Sequence, residues 1–80
     1  MFYTSFVEPY IEPRQEWRGQ YLVKGHVKYY DNGKFVRHGE DVCFGIIHDD
    51  DYIDEDKLCA SMRGKTVYEA HNAFMAYEED

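Results

Sequence analysis

The dipeptide Asn32-Gly33 restricts the fold of this chain more than any other feature of its sequence. It lies between two stretches rich in β-branched and aromatic residues, residues 20–30 and residues 35–38. Both Asn and Gly accept the positive φ angles that the centre of a two-residue type I′ turn requires. The sequence therefore predicts a long antiparallel hairpin whose two strands meet at this turn.

The register of this hairpin sorts its side chains onto two faces. Counting back from the turn places Tyr30 opposite Phe35 and Lys28 opposite Arg37. One face is mainly apolar and is predicted to cover the core, whereas the other is cationic and aromatic. Rings and cations together hold single strands by stacking and phosphate attraction. A single-stranded nucleic-acid or nucleotide site is therefore one hypothesis, and a solvated sheet face is its alternative, for Lys24, Lys28, Tyr30, Phe35 and Arg37.

Two segments follow the hairpin before the final helix. Residues 42–48 form a nearly continuous apolar run, which is typical of a central strand. Residues 57–63 fit either a strand that closes the sheet or a helix with Asp54 as its N-cap. Alternation of apolar residues slightly favours the strand, and the choice stays open from the sequence alone.

The C-terminal part of the chain carries the clearest helix signal. Thr66 and Glu69 have the spacing of a capping box, and the helix is expected over residues 66–78. Its apolar side chains recur at helical spacing, which predicts one buried stripe. The residues of this stripe are Val67, Ala70, Phe74 and Tyr77.

The predicted fold class is α+β, with an antiparallel three- to four-stranded sheet and the C-terminal helix packed on one face. Eighty residues make a single domain, residues 1–80. Its parts are expected to be an irregular N-terminal segment (1–19, with a short edge strand at 2–7), a β-meander (20–64) that includes an acidic loop (48–57), and the helix (66–78). The alternative is a long hairpin followed by two helices.

Charge is distributed unevenly along the chain. Residues 14–39 contain six Lys and Arg against two acids, whereas residues 40–80 contain three against twelve, and the whole chain carries a net charge of −7. Residues 48–57 hold the densest run of carboxylates, and we call them the acidic segment. Fields of this kind select partners more than folds, so the sequence predicts a basic partner for Asp49, Asp50, Asp51, Asp54, Glu55 and Asp56.

No catalytic motif accompanies this charge pattern, and the chain is expected not to be an enzyme and to need no cofactor. Cys43 and Cys59 lie in no zinc-binding spacing and are expected to be reduced thiols. The acidic segment lacks the Gly and the final Glu of an EF-hand loop, so no metal is predicted, although Ca²⁺ or Mg²⁺ binding there stays an alternative. No membrane contact is predicted, and neither a signal peptide nor an apolar span is visible, which favours the cytoplasm.

Two resemblances bear on function. The segment Cys59-Ala60-Ser61-Met62-Arg63-Gly64-Lys65-Thr66-Val67-Tyr68-Glu69-Ala70 resembles the strand–Gly–Thr–x–x–Glu–Ala–helix ending of HicB-type antitoxin domains. In size, acidity and aromatic content the whole chain resembles the small proteins that bacteriophages and mobile elements encode against host machinery, anti-CRISPR proteins among them. The second resemblance implies an anti-defence inhibitor acting in the host cytoplasm, and the first implies an antitoxin-type domain.

These observations predict a small acidic protein that binds and inhibits a protein target with a basic, nucleic-acid-binding surface. Carboxylates arranged in a row can imitate the phosphates of a nucleic acid and compete for the same groove. The single-stranded nucleic-acid module and the HicB-like antitoxin domain are the alternatives. A homodimer is a further expectation, because a chain with one basic and one acidic half can associate head to tail.

Overall fold

A computed structural model describes residues 3–78 of the chain. The predicted edge strand begins at Phe2, which lies outside the described residues, as do Met1, Glu79 and Asp80. The elements, in chain order, are the strands β1 (Tyr3–Pro13), β2 (Gln20–Asp31), β3 (Lys34–His38) and β4 (Val42–His48), and the helices α1 (Glu55–Met62) and α2 (Val67–Glu78). A single turn of 3₁₀ helix, Asp49–Asp51, joins β4 to the segment before α1.

Strand β2 is the centre of an antiparallel sheet. Strand β1 pairs with it over its whole length, from Tyr3 opposite Asp31 to Pro13 opposite Tyr21. Strands β3 and β4 share the other side of β2, with β3 at the hairpin end and β4 at the far end. The sheet is therefore three strands wide over most of the length of β2, and with its two helices the predicted α+β class is confirmed.

The hairpin turn forms as predicted, but its register changes after one strand pair. Asn32 and Gly33 have φ angles of 52° and 84°, as a type I′ turn requires, and Tyr30 lies opposite Phe35. A β-bulge then shifts the pairing by one residue, so that Arg37 lies opposite Tyr29. The predicted Lys28–Arg37 pair is wrong, because a one-residue shift moves every later side chain of β3 to the other face.

The predicted edge strand is present but longer than expected, because β1 covers residues 3–13. The prediction of an irregular segment is therefore wrong for residues 8–13 and holds for residues 14–19. Val7 N–H donates to the Lys65 carbonyl at 2.8 Å, and the Val7 carbonyl accepts from Gly64 N–H at 3.0 Å. These bonds point away from β2, and residues at even spacing from Val7 share that direction. At Pro9 and Pro13 the position of the missing N–H therefore faces the outer edge of the sheet. The pairing of β1 with β2 loses no hydrogen bond there.

The core lies between one face of the sheet and the two helices. The main core cluster contains four buried side chains of the sheet, Val7, Val23, Phe44 and Ile47. The helices contribute another four, Leu58, Met62, Ala70 and Phe74. In α2 the predicted stripe is confirmed, and Thr66 caps the helix by accepting from Glu69 N–H at 3.2 Å. No helix within residues 3–78 is long and apolar enough to cross a membrane.

Residues 57–62 belong to α1, with Arg63 as its C-cap, and not to the strand that the sequence slightly favoured. Leu58 and Met62 are four residues apart and fully buried, whereas Ala60 between them is exposed. This is the pattern of one helical face, since a strand would place all three on the same side. Asp54 caps the helix and accepts from Lys57 N–H at 3.2 Å. The strand that the HicB-type ending implies before Gly64 is therefore absent from this segment.

Candidate partner-binding surfaces

The acidic segment combines the 3₁₀ turn with the first turn of α1, and its six predicted contact residues are all exposed. Three of them also stabilise the local backbone. Asp51 accepts from His48 N–H at 2.9 Å, and Asp54 caps α1. Asp49 donates its own N–H to the Gly19 carbonyl at 2.8 Å, and its carboxylate, as acceptor and neighbouring charge, raises the pKa of the Tyr21 phenol.

The other three carboxylates of the acidic segment make no side-chain contact of this kind within residues 3–78. The side chains of Asp50, Glu55 and Asp56 make no hydrogen bond or ion pair with any other described residue. Glu55 and Asp56 lie in the first turn of α1, where the helix dipole stabilises negative charge. The segment therefore keeps carboxylates that are free to meet a partner.

Tyr52 lies in the middle of this segment, and sequence reasoning did not single it out. Its side chain is 94% exposed, and its backbone has φ 52° and ψ 41°. A bulky residue rarely adopts the left-handed region, so this conformation is an outlier. The sequence signal is a lone aromatic residue inside a run of acids, with no alternation that would assign it to a core.

A second exposed aromatic side chain lies at the same end of the sheet. Trp17, in the 14–19 connection, is 52% exposed, and the Arg14 guanidinium lies 5.4 Å from its ring centroid. Beside it is a shallow pocket of about 310 Å³. The connection adjoins the acidic segment through the bond between Gly19 and Asp49. The lining of the pocket includes Glu12, Pro13, Glu16, Trp17 and Leu22.

The face of the sheet opposite the helices, here called the open face, was predicted to be cationic. Strand β1 changes that expectation because it brings carboxylates onto the same face. Lys24 pairs with Glu12 at 2.8 Å, and this hydrogen bond raises the pKa of the Lys24 ammonium. Arg63 reaches round the edge of β1 to Glu8 at 3.0 Å. Most of the positive charge on the open face is therefore neutralised inside the protein.

A polar cluster occupies the middle of the open face. The rings of Tyr10 and His26 stack with their centroids 4.4 Å apart. Tyr10 Oη donates to Asp41 Oδ2 at 2.7 Å, and His26 Nδ1 lies 2.9 Å from Asp41 Oδ1. The hydrogen bond raises the pKa of Tyr10, and Tyr10 and His26 together hold the pKa of Asp41 below its usual range. The cluster ties the connection between β3 and β4 to the sheet.

Four rings form a row across the hairpin end of the open face, and we call it the aromatic row. Phe6 lies 5.5 Å from Tyr30, Tyr30 lies 5.8 Å from Phe35, and Phe35 lies 5.0 Å from His38, measured between centroids. Each pair is edge to face, which is a favourable geometry. The bulge in β3 brings His38 into this row in place of the expected cation.

The structure brings together only some of the five residues predicted for nucleic-acid binding. Tyr30 and Phe35 are in contact, and Lys28 is near them without an ion pair to any other described residue. Lys24 is neutralised by Glu12. Arg37 lies on the other face, with its guanidinium 4.7 Å from the Tyr29 ring centroid.

The two cysteines are free thiols in different surroundings. Cys43 is exposed and lies opposite Lys24 on the open face, whereas Cys59 is half-buried in α1. Burial raises the pKa of the Cys59 thiol. Among the described residues, no group of three or more His, Cys, Asp and Glu side chains could hold a metal ion.

Comparison with protein-family models, with curated proteins and with solved structures finds no match to this chain. The proposal for function therefore rests on the residues of three surfaces: the acidic segment, the 14–19 connection and the open face.

Proposed function

We propose that this protein is a non-enzymatic inhibitor whose acidic segment binds a basic surface on a protein target. The observation that carries the proposal is Tyr52, an aromatic side chain that is 94% exposed among carboxylates on a left-handed backbone. Such a conformation costs about 1–3 kcal/mol in a residue other than Gly. Exposed Tyr and Trp are the side chains that most often dominate the binding energy of an interface.

The carboxylates around Tyr52 supply the second part of the interaction. Asp50, Glu55 and Asp56 have no partner among residues 3–78, so neutralising them removes charge without breaking a described contact. A charged rim accelerates association with an oppositely charged target, and salt weakens this effect. Trp17 at the same end gives the surface a second aromatic contact beside the pocket of about 310 Å³.

Inhibition follows if the basic surface of the target is one that normally holds nucleic acid. A carboxylate row then occupies the groove in place of phosphates, and binding depends on counter-ion release as it does for a nucleic acid. The likeness in size and charge to bacteriophage and mobile-element inhibitors agrees with such an anti-defence role. The single-stranded nucleic-acid alternative has less support, because Glu12 neutralises Lys24 and Arg37 lies on the other face.

A fluorescent deca-arginine peptide tests the chemistry of the surface before a target is known. We expect it to bind at low salt and to be released as salt increases, with a parallel change in the fluorescence of Trp17, the one Trp of the chain. The Asp50→Asn, Glu55→Gln, Asp56→Asn triple variant should weaken binding about tenfold. Tyr52→Ser should weaken it as well.

The matched control is Tyr68→Ser on α2, because Tyr68 is also exposed, at 76%, but lies outside the acidic segment. Its affinity for the peptide should equal that of the parent protein. A peptide affinity that changes neither with salt nor in the triple variant would contradict the proposal. Tight binding of a labelled oligothymidine in the same assay would favour the nucleic-acid alternative instead.

A further inference from the structure

The open face is the largest part of the sheet that no other described element covers. Both helices pack on the opposite side, and the open face exposes Phe6 at 38%, Phe35 at 51% and Ile46 at 37%. Aromatic side chains that are exposed together, with polar groups around them, mark a surface that meets a partner. We propose that this partner is a second copy of the chain, packed open face to open face about a two-fold axis.

Charge favours a second copy as the occupant. Three pairs close most of the charged groups of the open face within one molecule, and these are Lys24 with Glu12, Arg63 with Glu8 and His26 with Asp41. Lys28 is the remaining lysine of this face, and it has no ion pair with a described residue. Two such faces therefore meet without strong like-charge repulsion. The pairing of Lys24 with Glu12 also removes one of the six cations that the head-to-tail association expected from the sequence would use.

The position of the aromatic row determines how two copies can be arranged. The row lies at the hairpin end of the sheet, whereas the acidic segment adjoins Gly19 at the other end of β2. A two-fold axis across the middle of β2, near His26, with antiparallel molecules places the aromatic row of one copy over the Leu22 end of the other and covers Cys43. It keeps the two acidic segments at opposite ends of the dimer, along a molecule 45 Å long. Because the same patch is used on both copies, the contact closes as a dimer and leaves the acidic segments accessible.

The size of the face sets the strength of the dimer. Three strands at roughly 4.8 Å and a β2 of 12 residues at roughly 3.3 Å give a face of about 14 by 40 Å, or about 560 Å². A stable interface of standard size buries about 800 Å² on each partner. The dimer is therefore weak and depends on concentration, and it forms and dissociates rapidly.

Sedimentation velocity from about 10 μM to about 1 mM protein tests this arrangement over the range in which weak dimers form. We expect the weight-average sedimentation coefficient to increase with concentration. Phe35→Ser should raise the dissociation constant at least tenfold, and Tyr68→Ser on α2 should leave it unchanged. High salt should preserve the dimer, whereas a head-to-tail contact between opposite charges would dissociate.

Cys43 provides a second readout that does not depend on changing the aromatic row. In a Cys59→Ser variant, Cys43 on the open face is the one thiol, and its alkylation by iodoacetamide should slow as the protein concentration increases. A sedimentation coefficient that stays monomeric up to about 1 mM would overturn the proposal. So would a dimer whose dissociation constant and Cys43 protection are the same in the Phe35→Ser variant.

Discussion

The ring of Phe74 in α2 packs directly on the backbone of Gly45 in β4. A Cβ atom built at Gly45 would lie 2.7 Å from Phe74 Cε2 and 2.8 Å from Cζ. Phe74 is one of the largest fully buried side chains, at 2% exposure. This contact fixes the distance and position of the helix over the sheet, because no side chain separates the two.

Gly45→Ala is expected to destabilise the protein by about 1–3 kcal/mol, the usual cost of overpacking a filled core. The added methyl group must displace the Phe74 ring, since the backbone of β4 is held by its pairing with β2. Urea unfolding measures the change. In a Phe74→Leu background the same substitution should cost less, and equal costs in both backgrounds would contradict the contact.

Asp54→Ala should lower the free energy of unfolding by about 1 kcal/mol, because it removes the N-cap of α1. Asp50→Ala is the matched control, since it removes the same charge from a side chain without a hydrogen bond in the described residues. It should change stability by less than about 0.5 kcal/mol. Equal losses in urea unfolding would show that charge, and not the cap, determines the result.

The stability contributed by Asp41 should depend on pH in the acid range. Tyr10 and His26 hold the pKa of Asp41 below that of an unfolded chain. A carboxyl of this kind stabilises the fold above its unfolded pKa, about 3.9, and loses that contribution as the pH falls through its folded pKa. The difference in unfolding free energy between the parent protein and Asp41→Asn should therefore shrink as the pH falls below about 4.

Urea unfolding of both proteins between about pH 5 and about pH 2 measures this difference. Tyr10→Phe removes the hydroxyl that donates to Asp41, and it should reduce the acid-range change relative to the parent protein. A difference between parent and Asp41→Asn that stays constant down to the lowest pH would contradict the arrangement.

Disulfide exchange with DTNB should distinguish the two thiols in dilute protein at neutral pH. Cys43 is exposed and should react first. Cys59 should react about tenfold more slowly, because burial raises the pKa of its thiol and lowers the thiolate fraction. The Cys43→Ser and Cys59→Ser variants assign the two phases, and both thiols should react at similar rates in urea. Equal rates in the folded protein would contradict the burial of Cys59.

Signals that act between near neighbours were read correctly from the sequence. Asn32-Gly33 sets its own backbone angles, and Thr66 and Glu69 cap α2 through atoms three residues apart. The strand over residues 42–48 was predicted correctly from its apolar run, but its central position was wrong, because β4 pairs only with β2 among the described strands. The stripe of α2 follows from helical periodicity alone. The acidic segment was found as a surface by composition, but Tyr52 was not, because its exposure depends on the turn that the segment adopts.

Longer-range features were missed for physical reasons. The edge strand was predicted only as far as Val7, and its continuation to Pro13 was missed. A proline disrupts the pairing only if its N–H position faces the neighbouring strand, and that depends on which edge of the sheet Pro9 and Pro13 occupy. The helix over residues 55–62 was underestimated because its buried face consists of only two side chains, Leu58 and Met62. Their burial becomes decisive only when the sheet and α2 lie beside them.

The sequence by itself determined the hairpin turn, the capped final helix and the sign of the charge on the acidic segment, since each depends on residues adjacent in the chain. Only the tertiary structure decided which charged and aromatic side chains the open face presents. A single bulged residue moved Arg37 to the other side of the sheet, and the pairing of β1 with β2 brought Glu12 to Lys24. Strand register and strand order fix which charges meet, and both depend on the simultaneous packing of the whole sheet.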